Sequence, residues 1–188
     1  MKTLKFLTVA VAALALVACA AKLPQADVDA ANAAFADAKA AFADQYAPDS
    51  WKAASEANDA LQANLTAKEY GKTKTLAKTL IDASAKAKTD AAAGLETAKA
   101  DCANLEADIL ALVPVVKAEV ALAAKAGKKA KVDLKPVQAL LSGADKSVAA
   151  AKASLDSGAV ADAKTSLTAL KSGLSDAQKA LESAGFKK

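Results

Sequence analysis

Apolar positions recur along the chain every three or four residues, and period-two alternation is absent, so the pattern is helical throughout. The spacing predicts five helices. Helix one spans about Gln25 to Gln45, with Val28, Phe35 and Phe42 at sevenfold spacing. Helix two spans about Asp49 to Lys68, with Trp51, Ala54, Leu61 and Leu65. Helix three is far longer, about Lys72 to Ala126, and its seam runs from Leu76 and Leu80 through Ala91, Leu95 and Cys102 to Ile109, Val116 and Val120. Helix four spans about Pro136 to Leu155. Helix five spans about Ala159 to Ala184; Val160, Ala163, Leu167, Leu170, Leu174, Ala177 and Leu181 alternate threes and fours, a heptad. Pro24, Pro48 and Pro136 each stand where a helix begins, where a missing N–H costs nothing. Pro114 falls inside helix three and cannot bond back to Leu110. A kink is expected there; a full break is the alternative.

Short connections make consecutive helices antiparallel. The first half of helix three can pack with helices one and two, and its second half with helices four and five. The expected fold is all-α: an elongated helical bundle, two three-helix bundles in tandem sharing a long central helix. The first bundle covers 25–98 and the second 99–188. A helix of that length rises roughly 80 Å, so the two ends of the chain are expected at opposite ends of a rod. A weak repeat accompanies this plan. Ala54, Ala60, Ala63, Leu65, Lys74, Thr75, Leu80 and Ala87 recur ninety residues later as Ala144, Ala150, Ala153, Leu155, Lys164, Thr165, Leu170 and Ala177, which suggests two similar hairpins.

Composition narrows the chemistry. The 188 residues include 55 alanines, no His and two Cys, and all 25 basic residues are Lys. Without His there is no Ser-His-Asp triad, no Cys-His pair and no His-ligated metal. Lys does not give the planar fork by which Arg reads phosphate or guanine. The net charge of +4 falls to +2 without Lys2 and Lys5 of the first eighteen residues, too small to drive nucleic-acid binding. The expectation is a non-enzyme with no catalytic, cofactor or metal residues and no nucleic-acid partner.

The N-terminus carries the most specific signal. Lys2 and Lys5 precede an apolar run from Phe6 to Ala18, too short for an ordinary membrane span and suited to a secretory leader. The run ends Leu16-Val17-Ala18-Cys19, which resembles a bacterial lipobox. That resemblance implies a signal peptide over 1–18 and a lipidated tether over 19–24, with a diacylglyceryl thioether on Cys19 and N-acylation of the new terminus. Two or three acyl chains anchor stably. The expected location is the bacterial cell envelope, lipid-anchored. Ala20 after the Cys resembles the outer-membrane sorting pattern of enteric lipoproteins, which implies an outer-membrane anchor facing the periplasm. Cys102 is then the one thiol left. Its neighbours Leu95, Ala98, Leu105 and Ile109 place it on an apolar seam, as a buried core residue or as a redox or dimer-linking thiol.

Three other groups stand out. Lys78, Asp82, Lys86 and Asp90 at four-residue steps read as a solvated stripe. Tyr46, Pro48 and Trp51 cluster at the first hairpin turn, capping the core or stacking a ligand. Lys125, Lys128, Lys129, Lys131 and Lys135, relieved only by Asp133, form a basic loop between helices three and four. The topology sets that loop beside Lys187 and Lys188, either as solvated side chains or as an anion-facing tip.

The segment Leu23–Lys99 resembles a bacterial envelope lipoprotein domain of unknown function. The matching features are Pro24 after the lipid Cys, the Ala-rich first helix, Tyr46-Ala47-Pro48 and the Lys68-Glu69-Tyr70 turn. The Cys19 anchor and the ending Phe186-Lys187-Lys188 are similar to the murein lipoprotein, whose terminal Lys joins peptidoglycan. These resemblances imply a structural lipoprotein: a helical spacer between the outer membrane and peptidoglycan or another envelope protein, with Lys188 available for covalent linkage and the loop lysines for ionic contact. The alternative is an adaptor whose helical surface holds a specific protein or ligand.

Overall fold

A computed structural model describes residues 22–127 and 132–187. Every regular element among them is helical: α1 Gln25–Ala40, the single turn α2 Ala43–Tyr46, α3 Pro48–Thr66, α4 Thr73–Ala126, α5 Lys135–Asp156 and α6 Val160–Ser183. The chain divides into two compact units, Met1–Gly94 and Leu95–Lys188. Each is a three-helix arrangement, and α4 supplies one helix to each. Cys19, expected to carry lipid, lies outside the described residues, as do Lys128, Lys129, Lys131 and Lys188.

In unit 1 the core is mostly alanine. Ala38, Ala43, Ala47, Ala54, Ala87 and Ala91 form one cluster, with Phe35, Tyr46 and Trp51 packed against it. Ala31, Leu61, Ala77 and Leu80 form another. Small side chains let helices approach closely but each removes less apolar area from water than a Leu. The turn from α3 to α4 is tied by Asn64, which is buried. Its amide donates to the Glu69 carbonyl at 3.0 Å and its carbonyl oxygen accepts from the Thr73 hydroxyl at 2.7 Å.

One sequence expectation fails in this unit. The sevenfold spacing carried helix one through Phe42 to Gln45, but α1 stops at Ala40. Phe42 takes a left-handed conformation, φ 56°, and is 60% exposed. The turn redirects the chain into α2, whose Tyr46 lies against α4. A Cβ built on Gly94 would sit 2.0 Å from the Tyr46 carbonyl oxygen, so only glycine permits that approach. A contact between residues 46 and 94 overrides the local helical pattern.

In unit 2 the predicted heptad of α6 is buried at every position, Val160 through Leu181. Val137, Leu141, Ala144 and Ala151 of α5 face it, together with Cys102, Ile109, Val113, Val116, Val120 and Ala123 of α4. Two ion pairs fix the register of α6 on α4: Lys164–Asp101 and Lys171–Asp108, both 2.6 Å and both 63 residues apart. Equal separations mean that the two helices run parallel. Lys152 of α5 pairs with Glu106 at 2.7 Å, and the short α5–α6 turn makes α5 antiparallel to both.

Helix α4 continues through Pro114; the full break does not occur. Pro114 and Leu110 are both exposed, so the backbone bond that Pro114 cannot make is missing on the solvent side of α4 rather than in the core.

The ninety-residue repeat is carried by the structure. Ala54, Leu61, Thr73, Ala77, Leu80, Ser84, Ala87 and Ala91 are buried, and so are Ala144, Ala151, Ala163, Leu167, Leu170, Leu174, Ala177 and Leu181 at the matching positions. The two hairpins, α3 with the start of α4 and α5 with α6, are versions of one unit.

Candidate functional site

The register of unit 2 gathers a basic end. Carrying the 63-residue separation along α6 brings its last residue, Ser183, level with Val120 of α4. The antiparallel pairing of Lys152 with Glu106 brings Lys135 level with Ala123. The end of α4, the start of α5 and the end of α6 therefore meet at one end of the unit. Lys125 sits in the last turn of α4, where a cation faces the negative end of the helix dipole. Lys135 opens α5, and its backbone N–H donates to the Asp133 carboxylate at 3.0 Å. Lys187 follows the turn that closes α6. All three are exposed.

That closing turn is built from its sequence. Gly185 takes φ 91°, its N–H donates to the Glu182 carbonyl at 2.9 Å, and the Phe186 N–H donates to the Leu181 carbonyl at 3.0 Å. This is a Schellman motif, with glycine in the left-handed position and an apolar residue next to it. Phe186 is half-buried, and the motif fixes the direction in which Lys187 leaves the helix.

The end is electrically distinct from the body it caps. Its described residues include Lys117, Lys125, Lys135 and Lys187, against Glu119, Asp133 and, level with Glu119 on α6, Glu182. Among the described residues, no acid pairs with the ammonium groups of Lys117, Lys125, Lys135 or Lys187. In the body of the unit Lys99, Lys152, Lys164, Lys171 and Lys179 each pair with Glu96, Glu106, Asp101, Asp108 and Asp176. The Asp101 carboxylate accepts a hydrogen bond from Lys164 and pushes its ammonium pKa up. Glu119 does not offset the lysines through a bond: it is 1% exposed and both its carboxylate oxygens lack a partner.

The other singled-out residues are structural in their surroundings. Cys102 is fully buried, its thiol 3.9 Å from the Val160 carbonyl; burial pushes its pKa up, away from the thiolate that redox chemistry needs. Trp51 stacks on Phe35 with ring centroids 4.7 Å apart and 12° between planes. With Tyr46 it packs on the alanine core. In the charged stripe, Lys78 pairs with Asp82 at 2.8 Å and Lys86 with Asp90 at 2.5 Å. The stripe is less uniform than its spacing suggests, because Asp90 also accepts from the Ser50 hydroxyl of α3. The Lys86 ammonium first, and the Ser50 hydroxyl second, hold the Asp90 carboxyl below its ordinary range.

Sequence reasoning missed Glu119, a polar residue that it left off the seam of helix three. It also missed the exposure of Phe42. No helix among the described residues is long and apolar enough to cross a membrane. No family model matches the chain, and neither a curated protein nor a solved structure matches it.

Proposed function

We propose that this chain is a non-enzymatic structural lipoprotein of the bacterial cell envelope: a helical spacer held in the outer membrane by lipid on Cys19, facing the periplasm and reaching peptidoglycan or an envelope partner. The observation that carries the reading is the leader and lipobox ending at Cys19. Three acyl chains on one residue anchor a protein without any spanning helix. The 54-residue α4 suits a role of extension, and the basic end of unit 2 gives that role a surface for contact. Covalent attachment through Lys188 and ionic attachment through the exposed lysines are the two modes of wall contact this reading allows.

The test is Cys19→Ser. This variant is expected to accumulate as the unprocessed precursor without acyl mass. Processing and membrane anchoring like the parent's would refute the lipoprotein reading. For wall contact, covalent linkage survives boiling detergent, is released by muramidase and is lost on deleting Lys188 alone, whereas ionic contact washes off with salt.

The adaptor reading has one observation in its favour, Phe42. A left-handed conformation costs a residue with a Cβ about 1–2 kcal/mol, and 60% exposure leaves the ring in water. A partner that covers the ring would offset both. Capture of a single partner by the parent, lost in Phe42→Asn, would favour the adaptor over the spacer.

A further inference from the structure

The basic end of unit 2 is also apolar. Leu122, in the last turns of α4, is 42% exposed. Val132 and Leu134 in the following connection and Phe186 after α6 are half-buried. The register set by Lys164–Asp101, Lys171–Asp108 and Lys152–Glu106 brings these side chains to the same end as Lys125, Lys135 and Lys187. Lysine and apolar side chains thus occur together at one end of the unit, and its described lysines have no acid partner.

We propose that this end docks on an anionic lipid bilayer, with the lysines at the headgroup phosphates and Leu122 and Phe186 entering the interface. The proposal rests on the envelope location of the preceding reading and goes beyond it, assigning the exposed lysines to a bilayer in place of the wall. The charge argument is direct. Elsewhere among the described residues of the unit five lysines pair with acids of the same chain and Lys146 alone does not, whereas at this end all four described lysines lack an acid partner and are left for an external anion. Phosphate headgroups provide that charge as a continuous surface, toward which clustered lysines are drawn. The apolar component separates a bilayer from the other anionic surface of the envelope. A hydrated wall polymer offers carboxylates but nothing that removes Leu122 from water, whereas the interfacial region of a bilayer does both. A second copy of the chain is disfavoured, because pairing two such ends would bring like charges together.

The test uses the chain from Ala20, made without leader or lipid; it contains every helix described above. Co-sedimentation is measured with vesicles of phosphatidylcholine alone and with phosphatidylcholine and phosphatidylglycerol at about 7:3, and with isolated wall sacculi. The expected result is binding to the anionic vesicles alone, weakened by salt as surface charge is screened. The triple variant Lys125→Glu/Lys135→Glu/Lys187→Glu should lose about a hundredfold in partitioning. Leu122→Asp should lose roughly fivefold. Both changes are on exposed side chains, and circular dichroism melts verify that the fold is kept. Should the triple variant fail to fold, Leu122→Asp decides. Equal binding to neutral and anionic vesicles, no vesicle binding, or binding to sacculi that Leu122→Asp leaves unchanged would each overturn the proposal. None of these outcomes bears on Cys19, which the processing assay tests by itself.

Discussion

Lys68 and Gly158 stand ninety residues apart in the same backbone conformation, φ 57° and φ 86°. Each closes the first helix of its hairpin with the same pair of bonds. The Lys68 N–H donates to the Leu65 carbonyl and that of Glu69 to Asn64; the Gly158 N–H donates to Leu155 and that of Ala159 to Ser154. One turn of a duplicated hairpin thus carries glycine and the other a lysine, and the lysine bears the left-handed strain. In its own hairpin Asn64 ties the turn to Thr73.

Exchanging these residues should expose the difference. Lys68→Gly is expected to stabilise unit 1 by about 0.5–1 kcal/mol, and Gly158→Ala to destabilise unit 2 by about 1 kcal/mol. Nothing lies within 4 Å of a Cβ on Gly158, so the loss would come from the backbone alone. Urea midpoints of the two variants check both signs.

Gly94→Ala separates contact from propensity. Alanine gains about 1 kcal/mol over glycine in an open helix interior, and Gly143→Ala in α5, with nothing within 4 Å, should show that gain. At Gly94 the new methyl meets the Tyr46 carbonyl, so a net loss of about 1–3 kcal/mol is expected. Thermal melts showing both variants more stable would remove the close approach of α2 to α4 from the account.

Glu119→Leu should raise stability. The carboxylate is buried, as are Val116, Val120 and Ala123 on the same helix, and neither oxygen is bonded. An unsatisfied buried polar group costs about 1–3 kcal/mol, more if charged, and leucine keeps a similar volume. A fall in the unfolding midpoint would show that Glu119 makes a bond that stabilises the fold.

Asp90 gives unit 1 an acid-side dependence. Its folded carboxyl is held below the ordinary value by Lys86 and Ser50. Its contribution is therefore present above the unfolded pKa of about 3.9 and lost as pH falls through the lower folded value. Stability measured from pH 6 down to 2 should fall less steeply in Asp90→Asn than in the parent.

Much of the fold was legible because helical burial is periodic. The α6 heptad from Val160 to Leu181 needed only spacing, and the placement of Lys125, Lys135 and Lys187 at one end needed only helix count and connection length. Phe42 was misread because its spacing from Phe35 fits a continuous helix, while the turn that exposes it depends on Tyr46 meeting Gly94, a contact with no local signature. Glu119 was missed for the opposite reason: a charged residue breaks the apolar pattern, so periodicity assigns it to solvent. The hairpin repeat was visible as scattered identities among alanines. Its turn was not, because Lys68 and Gly158 share a conformation and not a residue type.

The central claim is a lipid-anchored envelope protein, and intact mass spectrometry of the protein extracted from its native membrane tests it most directly. The account predicts a chain that begins at Cys19 and carries a diacylglyceryl group and an N-acyl chain on that residue. A chain that begins elsewhere, or that begins at Cys19 without acyl mass, would contradict it.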